Sequence, residues 1–172
     1  VAFVNAGAEG ASASGNLTLV APASPAADDI WVAVVHSHDQ VAHTFTDWTQ
    51  IAQGNGGGTT SRLSVWWFRY AGSTPNLVVT HTAGDNIIGG IGVFRGRLAS
   101  ASPVDTVGTL QGGTDASIEC AAIDPTQTGC DLLVCEGAGD DNARTALGGT
   151  FTHAFEDSTA GVQSCYISNL GA

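Results

Sequence analysis

Short apolar runs rich in β-branched and aromatic residues recur along the chain, separated by Gly, Pro, Asn, Asp and Ser. Helical periodicity is nearly absent, and this combination is typical of strands joined by turns. Strands are predicted near residues 1–5, 15–21, 29–36, 47–53, 61–70, 76–82, 87–95, 116–123, 130–137, 150–155 and 161–168. About eleven short strands at this spacing predict an all-β fold, an antiparallel β-sandwich of jelly-roll-like form.

One part of the pattern occurs twice. Asp29 opens an apolar strand whose loop contains Asp39 and is followed by Trp48; Asp131 opens a second such strand, followed by Phe151. We therefore predict one β-sandwich domain built as two related halves. The predicted segments are the domain 1–172, the pseudo-repeat halves 15–96 and 115–172, and a candidate flexible N-terminal arm 1–14, which is rich in Ala, Gly and Ser.

Several predicted strands are apolar on both faces. Ile30, Val32 and Val34 alternate with Trp31 and other apolar residues, whereas a strand in a two-layer sandwich normally has one polar face. Such a strand needs two covers, which loops such as 97–115 or another subunit could supply. The predicted oligomer or partner interface consists of Trp31, Trp66, Phe68, Tyr70, Arg62, Arg69, Arg95 and Arg97.

The charges are strongly unbalanced. Sixteen acidic residues face five basic ones, all of them Arg, and the net charge is −11. Nucleic-acid binding requires a basic face, and so does docking on anionic lipid. We therefore expect neither partner, and no apolar run approaches the ~18 residues of a membrane span. The Arg residues form either a local positive patch for an acidic partner or ordinary cross-strand pairs with Asp.

The best metal candidate is the segment with His36, His38, Asp39 and His43. Two His residues on one side of a strand, with Asp and His from the following loop, are suitable ligands for a transition metal. The spacing is loose, and a solvated polar loop is the competing interpretation. Convergence of His81 or His153 on the loop would strengthen the metal hypothesis. No cofactor is expected.

Four cysteines occupy the second half of the chain, namely Cys120, Cys130, Cys135 and Cys165. Their spacing matches no zinc motif, and four cysteines allow three disulfide pairings. Buried thiols that act as small apolar residues are the other interpretation. The sequence leaves both open.

Catalytic motifs are weak, and we expect no enzyme. The segment Gly10–Gly15 has one residue too many for the G-x-S-x-G elbow of hydrolases, and no helix is predicted after it. A sugar-stacking platform could instead be formed by exposed aromatic residues, although aromatic residues in strands are more often part of a core. The candidates are Trp31, Trp48, Trp66, Trp67, Tyr70 and Tyr166.

Five segments in sequence order resemble the scaffold of small β-sandwich virion proteins of tailed bacteriophages. They are Asp29–Val34, Asp47–Ala52, Arg62–Arg69, Val93–Gly96 and Pro103–Asp105. Within that group the chain looks most like a capsid decoration, or cement, protein. The resemblance covers roughly residues 15–110, with a weaker repeat in 115–172.

This resemblance implies a structural role on the outer capsid surface of a virion. Such proteins sit on the shell, often as homotrimers, bind the major capsid protein and stabilise contacts between capsomers. The alternative is recognition, by a carbohydrate- or receptor-binding module of a phage tail or fibre or by a secreted lectin-like protein. Exposed convergent aromatic residues would favour the alternative.

Overall fold

The computed structural model describes residues 2–56, 61–82, 85–96, 101–112, 122–128, 130–138, 151–155 and 164–170. These residues form strands, turns and loops and contain no helix. The strands are β1 (Ala2–Ala6), β2 (Gly10–Ser12), β3 (Leu17–Thr18), β4 (Ile30–Ser37), β5 (Thr44–Phe45), β6 (Thr49–Asn55), β7 (Arg62–Arg69), β8 (Val78–Thr80), β9 (Ile87–Arg95), β10 (Leu132–Ala138), β11 (Phe151–Phe155) and β12 (Ser164–Leu170).

The strands form three antiparallel sheets. The central sheet has the order β1-β9-β4-β7-β6, and β2 also pairs with β9. The small sheet has the order β3-β8-β5, and the C-terminal sheet has the order β10-β12-β11. The central and small sheets pack face to face, so the predicted all-β antiparallel sandwich is confirmed.

The small sheet covers one face of the central sheet. Trp31, Ala33 and Val35 of β4 point into this layer and pack in one buried cluster with Phe45 of β5 and Val79 of β8. All five are less than 5% exposed. Alternation along β4 places every second residue here, as the pleat of a strand requires.

The C-terminal sheet covers the opposite face. Ile30, Val32 and Val34 of β4 belong to a second buried cluster, against which Leu133 and Cys135 of β10 pack. Strands β10 and β12 both contact β4. The second cover therefore comes from the C-terminal half of the same chain, and the two apolar faces of β4 no longer argue for another subunit.

A loop also contributes to this cover, as the sequence suggested. The Nη2 group of Arg69 donates to the carbonyl oxygen of Ala101 at 2.8 Å. Farther along the same segment, Leu110 packs beside Gly54 of β6. Residues 101–112 therefore follow the β6–β7 side of the central sheet, on the face that the C-terminal sheet covers.

The N-terminal residues differ from the expected flexible arm. Ala2–Ala6 and Gly10–Ser12 both pair with β9 in the central sheet. Phe3 packs edge-to-face on Phe94, with ring centroids 5.7 Å apart. The apolar side chain at Phe3 gains burial only when the segment pairs, which explains why it forms a strand and not an arm.

The two halves of the chain share one pairing pattern. Strands β4, β7 and β6 are neighbours in that order, and β10, β12 and β11 repeat it. The register shifts in β6 between Gln50 and Ala52, and it shifts in β11 between His153 and Phe155. Each three-stranded group therefore has the same strand order and a bulge in its third strand.

Replacing Gly137 by Ala tests the docking of the C-terminal sheet. A Cβ atom there would lie 2.8 Å from Cβ of His36 and closer still to its ring. We expect urea unfolding to show that the free energy of unfolding falls by about 1–3 kcal/mol. The added methyl group would overlap the buried His36 side chain, so either the backbone of β10 or the imidazole ring must shift. Gly54→Ala is the control, since it meets only the flexible end of Leu110, at 2.7 Å. Equal effects of the two changes would contradict this packing.

Replacing Trp31 by Ala tests whether this residue belongs to the core or to an interface. Trp31 is completely buried and contacts Trp48, Phe68 and Tyr70. We expect a loss of about 3–5 kcal/mol of unfolding free energy. Val107→Ala, at an exposed position, should stay within about 0.5 kcal/mol. A stable Trp31→Ala protein with an altered oligomeric state would support an interface role instead.

Candidate functional site

The most concentrated polar chemistry lies between the central and small sheets, where β4 ends. His43, just before β5, is completely buried. Its Nδ1 atom lies 2.7 Å from Oγ of Ser64 on β7, and its Nε2 atom lies 2.9 Å from Oγ of Ser37 on β4. Both serines are fully buried as well. The imidazole therefore bridges two strands of the central sheet through paired hydrogen bonds.

A second histidine completes the group. His81 follows β8, is buried, and donates from Nε2 to Oδ1 of Asp39 at 3.0 Å. Its ring stands edge-to-face to the His43 ring, with centroids 5.5 Å apart. We call this group the histidine cluster; its members are Ser37, Asp39, His43, Ser64 and His81.

Gln53 and Arg62 tie the neighbouring loop to the central sheet. Oε1 of Gln53 accepts from the His43 amide at 2.8 Å and from Nη1 of Arg62 at 2.9 Å. The Gln53 amide donates back to the His43 carbonyl at 3.2 Å. Arg62 Nε also donates to the Gln40 carbonyl at 3.0 Å. Residues 38–43 are thus fixed to β6 and β7 through side chains.

The surroundings of His43 and Asp39 determine the protonation states of these two members of the histidine cluster. The pKa of His43 is lowered to about 3, mainly by burial and also by the neighbouring His81 and Arg62, against the opposing effect of Asp39. Burial raises the pKa of Asp39, but hydrogen bonds from His81, the Val41 amide and Ser37 outweigh it, so the net pKa is lowered. At neutral pH the cluster contains a neutral His43 and an ionised Asp39.

The four predicted metal ligands do not meet at one point. Asp39 and His43 belong to the cluster, and His81 converges there as the metal hypothesis required. His36, however, lies on the opposite face of the central sheet against Gly137, and His38 is at the surface, with Nδ1 3.5 Å from the Asp85 carboxylate. In the part of the chain that the structure describes, no group of three or more His, Cys, Asp or Glu side chains is arranged to hold a metal ion.

The sequence did not reveal the serines and Gln53 as partners of His43. Ser37 and Ser64 lie in strands that are mostly apolar. A polar residue in such a strand is the one sequence feature that could have indicated a buried hydrogen-bond partner. The cross-strand register that aligns them with the histidines is a tertiary property. His153 lies in β11, and its side chain is outside the described residues.

At the opposite end of the same layer a buried carboxylate pairs with an exposed guanidinium. Asp29 is fully buried, and Arg95 donates to it twice, from Nε at 2.7 Å and from Nη2 at 2.8 Å. The Ala26 amide donates to the same carboxylate at 2.8 Å. The hydrogen bond from Arg95 is the main reason that the pKa of Asp29 is lowered.

The aromatic residues predicted for an interface are mostly core residues. Trp31 and Trp66 are buried, so neither can lie in a surface contact of the folded chain. Phe68 and Tyr70 are half-buried and pack against the same core, and Tyr70 stacks on Trp31 at 5.2 Å. Apolar side chains of this size gain more by filling the layer between two sheets than by remaining exposed.

The predicted Arg patch is largely used within the chain. Arg62 and Arg69 bind carbonyl oxygens, at Gln40 and Ala101 respectively, and Arg95 binds Asp29. Pairing with Asp, the alternative predicted from the sequence, therefore describes Arg95, and Arg69 also lies 4.0 Å from the Asp28 carboxylate; Arg62 binds a carbonyl oxygen instead. Arg97 lies outside the described residues.

Half of the aromatic residues predicted for a sugar-stacking platform are core residues. Trp31, Trp48 and Trp66 are all buried, and the indole N–H of Trp48 donates to the Asn76 carbonyl at 2.9 Å. Trp67 and Tyr70 are half-buried. The side chain of Tyr166 is outside the described residues. Three of the six candidates are therefore unavailable to stack on a ligand.

The cysteines are described only in part. Cys130 is a free thiol whose Sγ lies 3.3 Å from the Gln127 carbonyl oxygen. Cys135 packs toward the central sheet. Cys120 and the side chain of Cys165 lie outside the described residues. Because Cys130 is free, the three pairings that use all four cysteines are wrong, and a single disulfide among the others stays a prediction.

Neither a protein-family model, nor a curated protein, nor a solved structure matches the chain. Within the described residues, no helix is long and apolar enough to span a membrane.

The Asp29–Arg95 pair predicts a specific acid response. Because the folded pKa of Asp29 lies below 3.8, its stabilising contribution is present above that pH and is lost as the pH falls through the folded pKa. Asp29→Asn should therefore lower the unfolding free energy at pH 7 and flatten its decline in acid. Chemical unfolding at pH 7 and at pH 2–4 measures both.

Asp28→Asn is the matched control. Asp28 is the adjacent residue, its side chain is 60% exposed, and it lies 4.0 Å from Arg69. Its positive φ of 66° is tolerated by Asn. We expect a change within about 0.5 kcal/mol at either pH. Indistinguishable effects of the two substitutions would contradict the assignment of Asp29 as the buried partner.

Proposed function

We propose that this chain is a virion structural protein, a capsid decoration protein that binds the outer capsid surface and stabilises contacts between capsomers. Its partners would be further copies of itself, as a homotrimer, and the major capsid protein. The scaffold segments that resemble phage virion proteins support this proposal. They cover the first part of β4, the first part of β6 and all of β7, and these three strands form one side of the central sheet.

The observation that favours a structural role is the location of the reactive side chains. In the histidine cluster His43, His81, Ser37 and Ser64 are buried inside the sandwich, as is Asp29, and Asp39 is half-buried. Each cluster histidine is hydrogen-bonded to groups of the same chain. Buried, satisfied polar groups specify a fold and do not meet a substrate.

The charge distribution is compatible with a protein that coats a surface. The net charge of −11 opposes random self-association in solution. Three of the five Arg side chains bind carbonyl or carboxylate groups of their own chain. Because the chain as a whole is acidic, docking would favour a neutral or basic site on the partner.

The trimer is proposed from the resemblance, and its contacts must differ from those first predicted. Among the described residues, the exposed large apolar side chains are Val20 and Val107. They do not form the extended apolar core that is typical of obligate oligomers. A trimer of this chain would therefore rely on polar contacts and assemble on the shell.

Immunogold electron microscopy on particles from the source culture tests the proposal. We expect an antibody against the chain to label capsid heads evenly, because a decoration protein occupies repeated sites on the shell. Preimmune serum on the same particles is the control. Label confined to tail tips would favour receptor binding, and unlabelled particles would contradict a virion role.

A further inference from the structure

The loop at residues 38–43 closes one end of the layer between the central and small sheets. It runs from the end of β4 to β5 and contributes Asp39 and His43 to the histidine cluster, whose other members lie in or next to the strands. We propose that this loop is an acid-sensitive clasp: protonation of His43 opens the loop locally while the three sheets remain folded. This inference does not depend on the proposed function.

The bonding of the loop makes a local opening feasible. The His38 amide donates to the Asn86 carbonyl at 2.9 Å. The other described bonds of the loop each involve a side chain. The Val41 amide donates to Oδ1 of Asp39 at 2.9 Å, and the His43 amide and carbonyl both pair with Gln53. Ser37 and Arg62 donate to the carbonyl oxygens of Asp39 and Gln40. Segments held by few backbone bonds open at lower free energy than ladder-paired strands.

The surroundings of His43 disfavour a positive charge. From β7 it faces Ser64 and the guanidinium of Arg62; from the end of β8 it faces His81. From β4 it faces the neutral Ser37, and Gln53 of β6 is neutral too. His36 on the far face of β4 also disfavours the charge, and Asp39 alone favours it. The Asp39 carboxylate already accepts hydrogen bonds from His81 and the Val41 amide.

A proton on His43 is therefore accommodated best by moving the ring into water. On the outer side of the loop, Nδ1 of His38 lies 3.5 Å from the Asp85 carboxylate. Opening the loop takes His43 away from Arg62 and restores hydration of the imidazolium. The strands below keep their ladder bonds and their apolar cover on both faces.

The direction and pH range follow from linkage. The closed loop holds the pKa of His43 at about 3, against an ordinary value of 6.5. The open state therefore binds the proton more tightly, and the closed state loses its advantage as the pH falls from 6.5 toward 3. Because one proton is taken up on opening, the equilibrium constant for opening rises by up to about tenfold for each unit by which the pH falls.

Amide hydrogen exchange by NMR, corrected for the intrinsic pH dependence, tests the clasp. We expect the protection of the Val41 and His43 amides to fall by up to about tenfold per pH unit between pH 6.5 and 4. Protection of Val34 and Ile91, which are fully buried in β4 and β9, should stay constant. His43→Gln should remove the pH dependence, and His38→Gln, on the same loop, should retain it.

Several results would overturn the proposal. A flat protection profile, a parallel loss at Val34 and Ile91, or loss of the effect in His38→Gln would each do so. Should His43→Gln fail to fold, the His43 ring resonance of the unmodified protein gives a second test. We expect that resonance to show no protonation shift above pH 5 in the closed state; a midpoint near 6.5 with the loop still protected would contradict the clasp.

Discussion

The central constraint is that β4 is apolar on both faces and must be covered twice. Its eight residues are all buried, which is possible only if one sheet packs above it and another below. The small sheet supplies one cover and the C-terminal sheet the other. The positions of β7 and β9 follow, because they pair with β4 along its whole length. Removing either cover would expose a continuous apolar surface.

Polar groups close the two ends of the layer between the central and small sheets. The buried Asp29 carboxylate pairs with the exposed Arg95 at one end, and the histidine cluster occupies the other. The net stability that either adds is reduced by the desolvation cost of burying its polar groups. Their value is specificity: a slip of register would separate Ser37 and Ser64 from His43 and leave buried polar groups without partners.

Much of the fold was predictable from the sequence because periodicity and turn residues are local signals. Asp29 to His36 was identified as a strand, and its two apolar faces correctly predicted two covers. The origin of the second cover was not predictable, because the docking of β10 beside Gly137 and His36 is a long-range contact. The same limit applies to the site: His43 and Asp39 were candidates, but Ser64 and Gln53 became partners only through strand register. Trp31 and Trp66 were predicted to lie at an interface because the sequence alone does not show that the small sheet of the same chain buries them.

The most direct test of the double cover is an isotope-filtered NOE experiment. An equimolar mixture of labelled and unlabelled chain separates contacts within one molecule from contacts between molecules, and 17.4 kDa is a tractable size. We predict an NOE between the Gly137 Hα protons and the His36 ring that arises only within one chain. An NOE found only between chains would show that another subunit supplies the cover, and absence of any NOE would show that the C-terminal sheet does not dock there.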